Sequence, residues 1–183
     1  MTGLVVVSHS RALADAAIAL ASEMLHGADV RIEVAAGLDA STFGTDATAI
    51  VEAITRADDG DGVVVLMDLG SALLSTEMAL DMVEAHVRDR TILCPGPLVE
   101  GLVVAAVAAA GGASPAEVAS EAIGSLAAKQ SHLGASRDGV VQTGVDEPHT
   151  ASYSAIVKIG NRHGLHARPA ARLVGQVGFE AIS

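Results

Sequence analysis

The chain has 183 residues, 50% hydrophobic and only 2% aromatic, with 22 acidic against 11 basic residues and a net charge of −11. Such an acidic chain repels a phosphate backbone, which argues against general nucleic-acid binding and favours basic protein partners. A lone cysteine, Cys94, excludes an internal disulfide and a cysteine metal cluster; without Trp and with one Tyr and two Phe, a core must be built from Ala, Val, Leu, Ile and Met.

The amino terminus, MTGLVVVSHS, has no basic stretch and turns polar after a short apolar run, so it reads as a strand over Leu4 to Val7 rather than a signal peptide. A helix follows from Arg11 to Leu25, with Leu13, Ala17, Leu20 and Met24 spaced to form one buried face. A second strand is predicted over Val30 to Ala35. After Gly44, Thr45 and Asp46 are candidate caps of a helix that buries Ile50, Val51 and Ile54. Gly60 to Gly62 reads as a turn before the third strand, Val63 to Met67. The third helix opens at Gly70 and Ser71 and is expected to run to about Val87. The fourth strand, Thr91 to Cys94, ends on a thiol read as a buried small hydrophobe.

A helix over Val99 to Ala110 contains the longest apolar run, Leu102 to Ala110, which is much too short to span a bilayer. The fifth helix starts at Ser114, where S-P-A-E supplies an N-cap serine, a first-turn proline and a capping-box glutamate, and ends near Gln130. Strict alternation of strand and helix predicts an α/β fold, a doubly wound and mainly parallel sheet flanked by helices, with ligands outside the carboxyl ends of the strands. The predicted organisation is a first domain over 1–130, a linker over 131–152, rich in Ser, Gly, Asp and Thr, and a short segment over 153–183.

Two loops at the predicted carboxyl edge hold chemistry. His9 follows the first strand, and Asp68 follows the third, just before Gly70 and Ser71 open a helix. His9 alone reads equally as a polar loop residue or a cap. If the first and third strands are neighbours, however, Asp68 can accept from one imidazole nitrogen, fix the tautomer and leave the other nitrogen as nucleophile. Ser71 and the amides after Gly70 can then cradle phosphoryl oxygens. No GxxxxGK[ST] motif or dinucleotide fingerprint occurs, so the sequence points to no cofactor. His26, His86, His132 and His149 lack metal-ligand spacing and are read as surface residues, leaving no predicted metal site.

A second histidine motif, NRHGLHARPAARLV, lies near the end of the chain. His166 stands at the mouth of an Ala-rich helix, Arg168 supplies a cation beside it, and Pro169 suits a first helical turn. GLHARPA closely resembles the phosphorylation site of HPr, the histidine phosphocarrier of the bacterial phosphoenolpyruvate:sugar phosphotransferase system (PTS). That resemblance implies a phosphohistidine at His166, stabilised by Arg168. Only one strand, near Ser154 to Ile159, and one helix, near Ala167 to Val177, are predicted there. The 29 residues from Ala155 to Ser183 are too few to enclose a core. The segment is therefore expected to be an incomplete, flexible HPr-like domain, and the chain a truncated product or a fragment of a longer protein.

Taken together, VVVSHSRALADA, GTDA, VVVLMDLGSALLSTEMAL and CPGPLVEG resemble the DhaM family, the phosphoryl-donor subunits of PTS-dependent dihydroxyacetone kinase. The resemblance implies a mannose-class enzyme IIA domain joined to an HPr-like domain. In it His9 is phosphorylated on Nε2, Asp68 is its carboxylate partner, and Thr45 and Ser71 are site neighbours. It further implies a cytoplasmic phosphotransferase, homodimeric, that passes phosphate from phosphoenolpyruvate through enzyme I and HPr to ADP held on DhaL, which serves DhaK. Two other functions fit the same histidine: a mannose-class IIA component of a sugar permease, and a regulatory module whose phosphorylation controls partner binding.

Overall fold

The four predicted strands pair into one parallel sheet in the computed structural model, which describes residues 1–133. The strands are β1 (Gly3–Ser8), β2 (Ile32–Ala36), β3 (Val63–Met67) and β4 (Thr91–Cys94), in the order β2-β1-β3-β4. The helices are α1 (Arg11–Met24), α2 (Ala47–Ala57), α3 (Gly70–Met82), α4 (Ala85–Arg88), α5 (Leu98–Ala110), α6 (Pro115–Gly124) and α7 (Ala127–His132). Residues Met1–Gln130 form one compact unit.

A parallel sheet covered on both faces needs largely apolar strands. The central strands β1 and β3 are apolar up to the terminal Ser8, whereas the edge strands carry Glu33 in β2 and Thr91 in β4. Along β1 and β3, successive side chains enter opposite layers. Leu4, Val6, Val64 and Leu66 join residues of α1, α5 and α6 in one core. Val5, Val7, Val63 and Val65 join residues of α2 and α3 in the other. The two central strands are thereby sealed, and their carboxyl ends emerge side by side: Val7 lies opposite Met67 in the β1–β3 register. The sheet is doubly wound, as the alternation predicts.

Four expectations are corrected. Helix α1 buries Ala14, Ala17 and Ala21, whereas Leu13 and Leu20 are about half exposed, at 42% and 45%. The reason lies in its neighbour. Helix α5 presents Ala105, Ala106 and Ala109 to the same core, and small residues on both sides let the backbones approach closely. Gly101 lets α5 pack equally closely on the sheet and on α6, since a Cβ there would come within 3.1 Å of Leu66 and 3.4 Å of the Ala122 carbonyl oxygen.

The third helix does not reach Val87. It stops at Met82 because Val83 is extended (φ −76°, ψ 160°), which turns both Val83 and Val87 into the α2–α3 core. The fifth helix likewise ends at Gly124, where Ser125 caps it through a bond to the Ala122 carbonyl, before α7 begins. Strand β2 begins at Ile32, two residues later than expected, since the ladder with β1 opens at Leu4↔Ile32. The capping box at Ser114 is present, with Glu117 Oε2 accepting from the Ser114 amide at 2.8 Å. Cys94 is buried, and burial pushes its thiol up from the ordinary value. The predicted linker over 131–152 and the HPr-like strand and helix lie almost entirely outside the described residues, as do His149, His166 and Arg168.

Candidate functional site

The carboxyl ends of β1 and β3 deliver the two predicted residues to each other. Ser10 caps α1 by accepting from the Leu13 amide at 3.3 Å, so His9 is held in the short corner between strand and helix. The amide of Asp68 donates to the Val7 carbonyl at 3.3 Å, which continues the β1–β3 pairing just past the strand. Loop 37–44 closes the corner from the other side: Gly37 donates to the Ser8 carbonyl and Gly44 to the His9 carbonyl, each at 3.0 Å. Gly44 has φ +148°, and a Cβ there would meet Leu38 at 2.8 Å, so this anchor requires glycine.

Asp68 is the hub. Its Oδ1 accepts from His9 Nδ1 at 2.9 Å and from the Leu69 amide at 2.7 Å. Its Oδ2 accepts from the His9 amide at 2.8 Å and from the Ser8 hydroxyl at 2.9 Å. The Asp68 side chain is only 9% exposed and that of His9 23%. Burial pushes the Asp68 carboxyl up, but the bonds from the His9 amide and ring, Ser8 and Leu69 together hold it below the ordinary value. An ionised carboxylate is acceptor-only, so in the neutral ring Nδ1 of His9 carries the proton and Nε2 presents a lone pair.

That lone pair points toward the start of α3. Ser71 Oγ lies 2.9 Å from His9 Nε2 and donates to it. The helix opens at Leu69 without any side-chain cap, and Gly70 has open space around its Cα. Free amides at a helix start attract an anion. The arrangement is thus a nucleophilic nitrogen backed by a carboxylate and faced by a hydroxyl and an uncapped helix end, which suits reversible capture of a phosphoryl group. Among the described residues, no group of three His, Cys, Asp or Glu side chains is placed to hold a metal ion.

A family model described as PTS system fructose IIA component (EIIA-man) matches residues 3–119, which include His9, Asp68 and Ser71. The chain belongs to the EIIA-man family. It is also homologous to curated DhaM proteins, described as phosphoryl donor subunits of PEP-dependent dihydroxyacetone kinase. It is 45% identical to that of Pantoea ananatis over 177 residues, 95% of this chain and 37% of the relative. With the Escherichia coli K12 protein it shares 42% over 177 residues, 95% of this chain and 38% of the relative. The chain therefore spans less than two-fifths of the length of these relatives. A shorter relative from Listeria innocua, described as the donor subunit of kinase 2, is 33% identical over 107 residues, 58% of this chain and 85% of its own. Among solved structures, a crystal structure of a protein of unknown function, EF1359, matches with a TM-score of 0.60 at 30% identity, covering 66% of this chain and 92% of that one. The homology supports a role in PTS-type phosphotransfer.

Within this EIIA-man unit the structure brings together three of the residues singled out in the sequence, His9, Asp68 and Ser71, with Gly70 beside them at the helix start. Thr45 makes no hydrogen bond to the imidazole. Its hydroxyl pairs with Ser75 Oγ at 2.7 Å on α3, one turn beyond Ser71, and Asp46 alone caps α2 by accepting from Thr48. His26, His86 and His132 are exposed. Sequence reasoning missed Ser8 and the Leu69 amide. A serine that ends an otherwise wholly apolar strand was the available signal for the first; a backbone donor leaves none.

No described helix is long and apolar enough to cross a membrane.

Proposed function

We propose that His9 is the phosphoryl-carrying residue of a PTS relay and that this chain is a DhaM-type phosphotransferase subunit. The observation that carries the reading is the bond between His9 Nδ1 and Asp68, which leaves Nε2 as the nucleophile, facing the Ser71 hydroxyl at the uncapped start of α3. In charging, the bond from phosphorus to the donor's histidine nitrogen breaks as the bond to Nε2 forms. Nδ1 keeps its proton, the ring becomes cationic, and Asp68 offsets that charge. In discharge, the Nε2–P bond breaks, an oxygen of the ADP β-phosphate takes the phosphoryl group to give ATP, and the ring returns to neutral.

The donors in this reading are phosphoenolpyruvate, enzyme I and HPr, and the acceptor is ADP held on DhaL, which supplies DhaK for dihydroxyacetone phosphorylation. The curated relatives' descriptions support the kinase setting. Ser71, Gly70 and the α3 amides cradle the phosphoryl oxygens, and Thr45 steadies α3 through Ser75. The unit over 1–130 does this work, a linker over 131–152 follows, and 153–183 carries an HPr-like motif whose His166 and Arg168 match that family's site. The working form is a cytoplasmic homodimer; a monomer by light scattering at micromolar concentration removes that part of the proposal.

Intact-mass and peptide mapping under alkaline conditions, after incubation with enzyme I, HPr and phosphoenolpyruvate, tests the relay. The expected result is one phosphate on His9 that disappears when DhaL·ADP is added, with none acquired by His9→Ala in the first domain. Transfer to a permease IIB domain but not to DhaL·ADP would assign the chain to sugar uptake instead. Phosphorylation without onward transfer, together with phosphate-dependent partner binding, would make it a regulatory module.

A further inference from the structure

We infer that Ser8 is a positioning residue that sets the tautomer of His9 by holding Asp68, an inference that rests on the proposed role of His9. Ser8 ends β1 and is 0% exposed, in a strand whose Leu4 to Val7 are equally buried and apolar. A hydroxyl placed there is unfavourable unless bonded. Ser8 Oγ accepts from the Ser10 amide at 3.1 Å and has one proton to give. Two acceptors are within reach: Asp68 Oδ2 at 2.9 Å and the Ser10 carbonyl at 3.1 Å. The shorter contact is to the carboxylate, and charge-assisted bonds are the stronger ones, so the proton goes to Asp68.

The consequence reaches the nucleophile through two bonds. Of the four donors around Asp68, two are backbone amides that are fixed by the chain, and one is the ring of His9 itself. Ser8 is the remaining side-chain donor. By satisfying Oδ2, it fixes the rotation of the carboxylate so that Oδ1 faces Nδ1. It also draws charge from the carboxylate, which keeps the shared proton on the ring. A ring protonated at Nδ1 is a better leaving group when the phosphoryl group moves on. Ser8 therefore acts on both charging and discharge without touching the transferred group.

The test compares Ser8→Ala, Ser8→Cys and Ser8→Thr in the full chain. Long-range 1H–15N correlations of the His9 ring read the tautomer without any partner protein, and amide spectra with thermal melts establish that each variant is folded. Ser8→Cys keeps an atom at the γ position, somewhat larger than the hydroxyl oxygen, but is a weak donor. It serves if Ser8→Ala does not fold. The expected result is a predominantly Nδ1–H ring in the unsubstituted chain and in Ser8→Thr, with a clear Nε2–H fraction in the Ala and Cys variants. Charging of His9 by phospho-HPr should fall roughly tenfold in those two, as expected for loss of a hydrogen bond to a charged group. An unchanged tautomer ratio in folded Ala or Cys variants overturns the inference. An unsubstituted chain that takes no phosphate on His9 overturns the relay itself, and the ring spectra then still decide whether Ser8 sets the tautomer.

Discussion

Replacing Asp68 with asparagine is the most searching test of the His9–Asp68 pair, because the structure shows that neither rotamer of the amide fits. Each carboxylate oxygen accepts two bonds. With the NH2 on the Oδ1 side it faces the Leu69 amide, and His9 Nδ1 must give up its proton to accept. The ring then carries hydrogen on Nε2 and is no longer a nucleophile. With the NH2 on the Oδ2 side, the Ser8 hydroxyl can turn to the Ser10 carbonyl at 3.1 Å, but the His9 amide cannot turn and is left facing a donor. That orphaned amide costs about 1–3 kcal/mol of stability. The charge opposing the phosphorylated ring is also lost, and a charge-assisted bond contributes about 1.5–3 kcal/mol. At about 1.4 kcal/mol per decade, charging should slow roughly 10- to 150-fold. Quenched-flow phosphorylation followed by intact mass gives the rate, and urea unfolding gives the stability. A folded Asp68→Asn variant charging at the unsubstituted rate would refute the assigned role of the carboxylate.

Other predictions concern the surroundings of the site and the packing. Phe43 is 73% exposed and adjoins Gly44, whose amide bonds the His9 carbonyl; Phe43→Ala should leave stability within about 0.5 kcal/mol yet slow transfer to the acceptor protein, measured by discharge of phosphorylated chain. Asp58 is 4% exposed at its side chain, and the Arg90 guanidinium holds its carboxyl below the ordinary value despite burial. Asp58 and Asp68 are both depressed in the folded state, so their stabilisation is present above the unfolded carboxylate value, near about pH 4, and is lost as pH falls through the folded values. Urea midpoints across that acid range should fall less steeply in Asp58→Asn. Gly96→Ala places a Cβ 2.7 Å from the Ala122 carbonyl and should destabilise by about 1–3 kcal/mol in a thermal melt. Ala14→Leu should be similarly harmful while Leu13→Ala is nearly neutral, since only Ala14 is fully buried.

The sheet was legible because central parallel strands covered on both faces need apolar runs, and LVVV and VVVLM have few other uses in a chain of this composition. His9 and Asp68 were legible for the same reason: Asp68 stands directly after such a run and His9 one residue beyond another, past Ser8, where the fold opens to ligands. What stayed hidden depends on size and on contact rather than on polarity. In α1 the Leu13 set and the Ala14 set have equally helical spacing, and nothing local reveals that α5 demands the smaller one. Val83 could have continued a helix; it extends because a buried site for Val87 lies across the layer. Ser8 reads as loop until Asp68, 60 residues away, is seen to receive its proton.

That same separation links function to the order in which the chain assembles. His9 and Asp68 are 59 residues apart, and they meet through the pairing of β1 with β3, with β2 and two helices in the chain between them. Such non-local pairing forms late and carries a large loop-closure cost. Under the proposed role of His9, charging would therefore be sensitive to folding: a chain that has not yet paired β1 with β3 has the histidine but not its carboxylate, and should accept phosphate more slowly.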